Sequence, residues 1–152
     1  MAHAMDTDEV VAFLEALPAR TGKLASVRAD GRPHIAPIWY ALDHSTAGAD
    51  SPVGDLVFNT DAASVKGRNL TRDPRLALCV DDDTPPFSFV IIEGTASVDA
   101  DPDALLHWAT VIGGRYMGSD RAEEYGARNG VPGELLVRLR PTRVTATAGL
   151  AT

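Results

Sequence analysis

One cysteine, two lysines and no excess of basic charge set the first limits on this chain of 152 residues. A lone cysteine cannot close an internal disulfide, so nothing points to an oxidising compartment. Cys79 lies in the short apolar run Arg75-Leu76-Ala77-Leu78-Cys79-Val80. A catalytic thiol would want an electropositive, partly exposed setting, so Cys79 reads as core filler. Twenty-one acidic residues against 14 basic ones leave a formal charge of −7. Non-specific nucleic-acid binding is not expected on that ground, because neutralising phosphates takes a basic surface. One basic pocket for a small anionic cofactor is still compatible with that charge.

Long apolar runs are missing too. None approaches the roughly 20 residues of a membrane helix. The acidic stretch from Met1 to Glu9 lacks the basic and apolar regions of a secretory signal. The expectation is a cytoplasmic protein with no membrane partner. His3, His34, His44 and His107 show no metal-ligand spacing. Asp81-Asp82-Asp83 lacks the glycine and glutamate of a calcium loop, so no metal site is expected. No glycine-rich dinucleotide turn, nucleophile elbow or Walker pattern occurs. Any chemistry must therefore be borrowed from a cofactor.

What remains is an ordinary globular composition, 45% apolar and 23% charged. Its length suits one domain over residues 1–152. Asp6-Thr7-Asp8-Glu9 supplies a cap and an acidic first turn, and the apolar spacing from Val10 to Leu17 predicts a helix over 7–17, stopped at Pro18. That helix would close one end of a barrel or pack on a partner. Two β-like runs, 23–28 and 33–41, flank Asp30-Gly31, a strong hairpin signal for a type I′ turn. Pro37 lacks a ladder donor and marks an edge or a bulge. Residues 43–54 read as a polar loop and 55–60 as a strand. A helix capped by Asp61 follows to about Arg72. Further strands are expected at 75–81, 87–98 and from Glu134 onward. A helix opening at Asp101-Pro102-Asp103 should break at Gly113-Gly114, with another short one over 121–128. Six strands linked mostly by hairpins, with a few short helices, argue a mainly β fold closed as an antiparallel barrel.

The most informative stretch is Asn59-Thr60-Asp61-Ala62-Ala63-Ser64-Val65-Lys66-Gly67-Arg68-Asn69-Leu70. It passes from a strand end into a helix start, where free backbone N–H groups and the helix dipole favour an anion. Ser64 can donate to a phosphate and Lys66 can supply the countercharge. On spacing alone, an ordinary capped surface helix with solvated cations is the commoner case, since most helix N-termini are empty.

The order of segments adds to this. A hairpin through Arg28-Ala29-Asp30-Gly31-Arg32-Pro33-His34 precedes Trp39-Tyr40, then Leu56-Val57-Phe58-Asn59-Thr60. Ser64-Val65-Lys66-Gly67-Arg68-Asn69-Leu70 and Arg72-Asp73-Pro74-Arg75 follow, with Glu93-Gly94-Thr95-Ala96 later. Over roughly residues 8–147 the chain resembles the pyridoxamine-phosphate-oxidase-like, FMN-binding split-barrel superfamily. The resemblance implies a split β-barrel of six or more antiparallel strands. It also implies a homodimer with cofactor sites in grooves between subunits. By position, Ser64 and Lys66 would hold the cofactor phosphate, with Thr60 and Arg68 nearby. Ile35, Ala36, Pro37 and Ile38, with Phe58 and Asn59, would line the ring and ribityl chain, and the strand from Phe87 to Ile92 would contribute from the other subunit.

The short length, the Lys66-Gly67-Arg68-Asn69-Leu70 form and Gly113-Gly114-Arg115-Tyr116-Met117-Gly118 resemble the branch that uses coenzyme F420. The chain lacks the extended C-terminal segment by which true pyridoxamine phosphate oxidases grip their substrate. The implied function is an F420-dependent oxidoreductase passing a hydride to a small conjugated or hydrophobic substrate. The alternatives are an FMN-dependent oxidoreductase and a non-catalytic cofactor carrier. Arg28, Arg32, Arg115 or Arg121 would meet the F420 polyglutamate tail. Tyr40, Tyr116 and His34 are candidate proton donors, none singled out as essential, and Trp39 and Tyr40 would stack on a flat substrate or pack in the core.

Overall fold

Alternating apolar and polar positions build one antiparallel sheet that curls on itself. The computed structural model describes residues 1–152. Its strands are β1 (His3–Ala4), β2 (Gly22–Val27), β3 (Pro33–Ile38), β4 (Ala41–Asp43), β5 (Asp55–Asp61), β6 (Arg75–Asp82), β7 (Ser88–Asp99) and β8 (Glu134–Ala148). The helices are α1 (Thr7–Glu15), α2 (Val65–Arg72), α3 (Pro102–Met117) and α4 (Ala122–Asn129). The sheet runs β3-β2-β6-β7-β8-β5-β4, with β1 added beside β8. Its two edges, β3 and β4, are consecutive in the chain and joined only by Trp39 and Tyr40. Three peptide steps span about 11 Å at most. Seven flat strands about 4.8 Å apart would hold those edges much farther from each other. The sheet must roll up, and β3 and β4 meet at a seam that no ladder closes. This is a split barrel.

The barrel interior holds most of the buried apolar side chains. Leu24, Tyr40, Leu56, Phe58, Leu78, Ile92 and Leu139 are all almost fully enclosed. Helix α1 plugs one end through Val10 and Leu14, which belong to the same core. A capping box sets its start: the Asp6 carboxylate accepts from the Glu9 N–H at 2.9 Å, and the Asp6 N–H donates to the Glu9 carboxylate at 2.8 Å. A smaller cluster of Ala41, Val57, Leu105, Ile112 and Leu136 fastens α3 against the outside of the barrel.

Four sequence expectations need correcting. The β2–β3 turn is not type I′. Only Gly31 has positive φ there (86°), while the Gly31 N–H donates to the Arg28 carbonyl and the Arg28 N–H to the Arg32 carbonyl. This is the three-residue loop of a type I turn closed by a glycine bulge. Gly113-Gly114 does not break α3, which runs through to Met117. These glycines serve close approach instead: a Cβ on Gly113 would stand 2.6 Å from the Tyr125 Cβ, and one on Gly126 2.0 Å from the Thr110 hydroxyl. The cap of α2 is Ser64 rather than Asp61. Cys79 is half-buried on the outer face of β6, paired across to Lys23 and Ile91, and is not in the core. Burial, then the nearby Asp81 carboxylate, pushes its thiol pKa up.

Strand β8 continues through Pro141 for 15 residues because the register shifts at Glu93/Gly94. Gly94 lies so close to the Arg140 carbonyl that a Cβ there would stand 2.3 Å away. The open edge strand β3 carries Pro33 and Pro37, in keeping with the edge position expected for a strand proline.

Candidate cofactor cleft

The end of β5 hands over to α2 through a tight turn. The Ser64 hydroxyl accepts from the Gly67 N–H at 3.0 Å and donates to the Asp61 carbonyl at 2.7 Å. Because that proton is spent, the Thr60 hydroxyl, 2.9 Å away, is the donor to Ser64. Ser64 is therefore an N-cap, and its hydroxyl has no hydrogen left for a phosphate. The donors that remain are in the backbone: the N–H groups of Val65 and Lys66 have no partner within the chain. They sit at the positive end of α2, the place where an anion is best held. Gly67 makes the turn this compact, since a Cβ would come within 2.4 Å of the Asp61 carbonyl oxygen.

Beside this turn lies a cleft of about 470 Å³. Lys66, Ser64 and Thr60 form one end of it. Pro37, Ile38 and Trp39 come from the seam, Asn59 from β5, and Ile112 and Asn129 from the two outer helices. The Asn59 amide donates to the Asn129 carbonyl at 3.3 Å and ties the end of α4 to the barrel. Trp39 is backed by Tyr116, the two rings parallel within 3° and 5.0 Å apart. Lys66 is half-buried and has no carboxylate within ion-pair distance.

The electrostatics are mixed. Asp61 and Glu134 also border the cleft, directly opposite each other across β5 and β8. Burial, then the facing Asp61 charge, raises the Glu134 pKa, and Lys66 pulls it partly back. The Asp61 carboxylate accepts from the Ala63 N–H at 2.7 Å and so helps to shape the turn.

The cleft thus gathers Pro37, Ile38, Asn59, Thr60, Ser64 and Lys66 from the residues expected of it. Four others lie elsewhere. Ile35 points to the outer face and is 68% exposed. Ala36 does not line the cleft. Phe58 is fully buried in the barrel core, because the strand turns that side inward. Arg68 faces a separate groove on another flank of α2. The sequence reading missed Thr21, Asp61, Ile112, Asn129 and Glu134. Glu134 was hidden because strand register is not written in local pattern. Ile112 and Asn129 were hidden because nothing in the chain shows how α3 and α4 dock.

The tyrosines are structural. Tyr40 is fully buried, and its hydroxyl donates to the Leu14 carbonyl at 2.7 Å. The Tyr116 hydroxyl donates to the Arg20 carbonyl at 2.7 Å and accepts from the Tyr40 N–H. Burial raises the pKa of both, foremost among the causes. Neither has a free proton aimed into the cleft. Arg115 is internal as well, held on the Tyr40 and Leu14 carbonyls, and Arg121 is paired with Glu124.

Comparison with known proteins agrees with this architecture. A conserved hypothetical protein of Mycobacterium tuberculosis, Rv2991, is 28% identical, with 93% of this chain and 84% of that one covered and a TM-score of 0.76. An F420 reductase is 24% identical over 82% of this chain and 88% of its own, with a TM-score of 0.60. The heme storage protein HutZ of Vibrio cholerae shares the fold at 17% identity, covering 95% and 97% of the two chains, with a TM-score of 0.69. No helix is long and apolar enough to cross a membrane. The family described as pyridoxamine 5'-phosphate oxidase matches residues 6–148, and this chain belongs to that family of flavin-binding split barrels.

Proposed function

We propose that this protein is an F420-dependent reductase, with the cofactor phosphate seated on the first turn of α2 and its ring in the cleft beside Trp39. The observation that carries the reading is the pairing of two unused backbone donors, at Val65 and Lys66, with an unpartnered ammonium group. That donor set suits a phosphate: two N–H groups fix its position and one cation offsets its charge. The apolar wall of Pro37, Ile38, Trp39 and Ile112 suits a flat ring. When bound, reduced F420 supplies a hydride to an electron-poor double bond.

The chain's own part is to bind, orient and exclude water. Val65 and Lys66 anchor the anionic end. Trp39, stiffened by Tyr116 behind it, sets the plane of the ring. No side chain is assigned as proton donor. The same seat would accept FMN, whose phosphate has the same chemistry. The Lys66-Gly67-Arg68-Asn69-Leu70 form and the fold shared with the F420 reductase support the deazaflavin.

We further propose that two copies pair through the outer faces of β2, β3 and β6. Ile35 stands exposed there beside Ala25, which lies across from it in the register. Pairing would cover this apolar patch and put β3, with Pro37, at a crevice between subunits.

Fluorescence titration of the purified protein with FMN and with F420 tests the cofactor. Tighter binding of F420, together with oxidation of reduced F420 by a panel of enones, quinones and nitro compounds, is expected. Binding of FMN alone would reassign the cofactor. Binding of F420 without turnover of any acceptor would make the protein a carrier.

A further inference from the structure

Two carboxylates stand at the phosphate end of the cleft, and one of them does nothing for the fold. Asp61 has a structural part: it is exposed and accepts from the Ala63 N–H in the turn before α2. Glu134, the first residue of β8, is half-buried and lies directly across from Asp61 in the β5–β8 register. Its carboxylate has no hydrogen-bond donor and no ion-pair partner within the chain. Like charges directly opposite each other on paired strands are destabilising, and burial adds to the penalty. A glutamine at this position would relieve both. The acid works against the folded chain, so its role lies in what the cleft binds.

Asp61, Glu134 and Lys66 are the charged residues that line the cleft, two carboxylates against one ammonium. Arg68, the next cation along α2, faces the groove on the other flank of the helix. Lys66 can therefore offset one negative charge on a bound phosphate. The Val65 and Lys66 N–H groups add dipoles but no net charge. A second charge on the phosphate would meet no further cation and two carboxylates. Phosphate esters differ in this respect. A monoester has a second pKa near 6 and carries about −1.5 to −2 at neutral pH, and FMN is a monoester. A diester has no second proton to lose and keeps a single charge. The phosphate of F420 is a diester, joined to the ring-bearing chain on one side and to the tail on the other. Both cofactors bring the same phosphate oxygens to the N–H groups; the difference is in charge.

We propose that Asp61 and Glu134 are specificity-determining residues, which let a phosphodiester settle on the first turn of α2 and disfavour a phosphomonoester. The inference rests on the phosphate seat, and it gives that seat a physical reason to take F420 in preference to FMN. The carboxylates are partly or largely open to water, so the discrimination is several-fold and salt-sensitive.

The test uses two ligands with one ring: FMN and its phosphate monomethyl ester, titrated by fluorescence at pH 8, where FMN carries its second charge. The wild type should bind the methyl ester more tightly than FMN. Each carboxylate acts about twice as strongly on a dianion as on a monoanion. Glu134→Gln should therefore shift the preference toward FMN by about twofold, and Asp61→Asn combined with Glu134→Gln by about fourfold. Asparagine keeps an oxygen to accept from the Ala63 N–H, and calorimetric melting checks that each variant is folded. A general loosening of the cleft would weaken both ligands alike, so the ratio of their affinities reads charge alone. Added salt should shrink the wild-type preference. A wild type that binds FMN as tightly as its ester would overturn the proposal, as would the same preference in wild type and double variant. Binding of F420 but of neither flavin by the double variant would overturn it too, because the ring would then decide. In all three cases F420 binding and turnover still stand as the separate measure of the deazaflavin reading. A charge-dependent preference in a protein that binds no F420 would keep the role of the carboxylates and remove the deazaflavin.

Discussion

Removing the Lys66 ammonium separates cofactor binding from folding. In Lys66→Ala the N–H groups of Val65 and Lys66 remain, so the seat loses its charge and keeps its shape. A hydrogen bond to a charged group is worth about 1.5–3 kcal/mol. With two backbone donors still in place, the loss should fall in the lower part of that range, and the Kd for FMN or F420 should rise roughly tenfold to thirtyfold. Stability should hardly change. Lys66 makes no ion pair, and alanine is at least as good a helix former. A surface change of this kind stays within about 0.5 kcal/mol, or a Tm shift of less than about 2 °C. Ser64→Ala provides the contrast. Its hydroxyl caps α2 and has no proton to give a ligand, so its loss should cost about 1 kcal/mol of stability and move Kd little. Fluorescence titration and scanning calorimetry on both variants read the two quantities independently. Unchanged affinity in Lys66→Ala, or loss of affinity only in step with a large drop in Tm, would refute the seat.

Three other changes probe the same structure. Glu134→Gln removes a carboxylate near the seat and should tighten binding of a phosphate-bearing cofactor about threefold. Because burial and Asp61 raise the Glu134 pKa, lowering the pH should protonate it and narrow the gap between wild type and variant, until the cofactor phosphate itself titrates; a gap independent of pH would count against Glu134. Gly67→Ala forces a Cβ toward the Asp61 carbonyl and should lower both stability, by about 1–3 kcal/mol, and cofactor affinity; a variant with wild-type melting would show that the turn relaxes freely. Arg138→Met strips a 2.7 Å partner from the buried Asp43 and should destabilise by about 2 kcal/mol, the worth of a hydrogen bond to a charged group. Burial pushes the Asp43 pKa up, but the bonds from Ser45 and Arg138 outweigh it and hold the carboxyl below its ordinary value. That stabilisation is present above the ordinary carboxylate pKa of about 3.9 and is lost as the pH falls through the folded value. Urea unfolding should therefore show the deficit at neutral pH and a shrinking one in acid.

The strands were legible because their alternation is strong, and the starts of α1 and α3 because Asp6 and Asp101 are good caps; the start of α2 was set too early, at Asp61 instead of Ser64. What the pattern hid was contact between distant segments. Gly113-Gly114 has the local signature of a helix breaker, yet the pair sits inside α3 where Tyr125 packs against it. Asp30-Gly31 names a hairpin without saying how many residues the loop uses. At the site, the turn that opens α2 and the place of Lys66 beside it followed from the strand-to-helix order. The roles of Phe58 and Arg68 did not, because they depend on which side of β5 and of α2 faces the cleft. Ser64 looked like a ligand because a hydroxyl at a helix start can bond outward or cap inward, and only geometry decides between them.

Pro33 and Pro37 on the open edge have a consequence for solubility. By the alternation of an antiparallel pair, positions 33, 35 and 37 turn their main-chain nitrogens away from β2. Two of those three nitrogens carry no hydrogen, which leaves Ile35 alone to donate. An incoming strand from another molecule would find no continuous row of donors, and growth into fibrils is blocked where the sheet would otherwise be most open to it. The chain can therefore keep an exposed isoleucine on this strand, available to a specific partner surface, without offering its backbone as a template for aggregation.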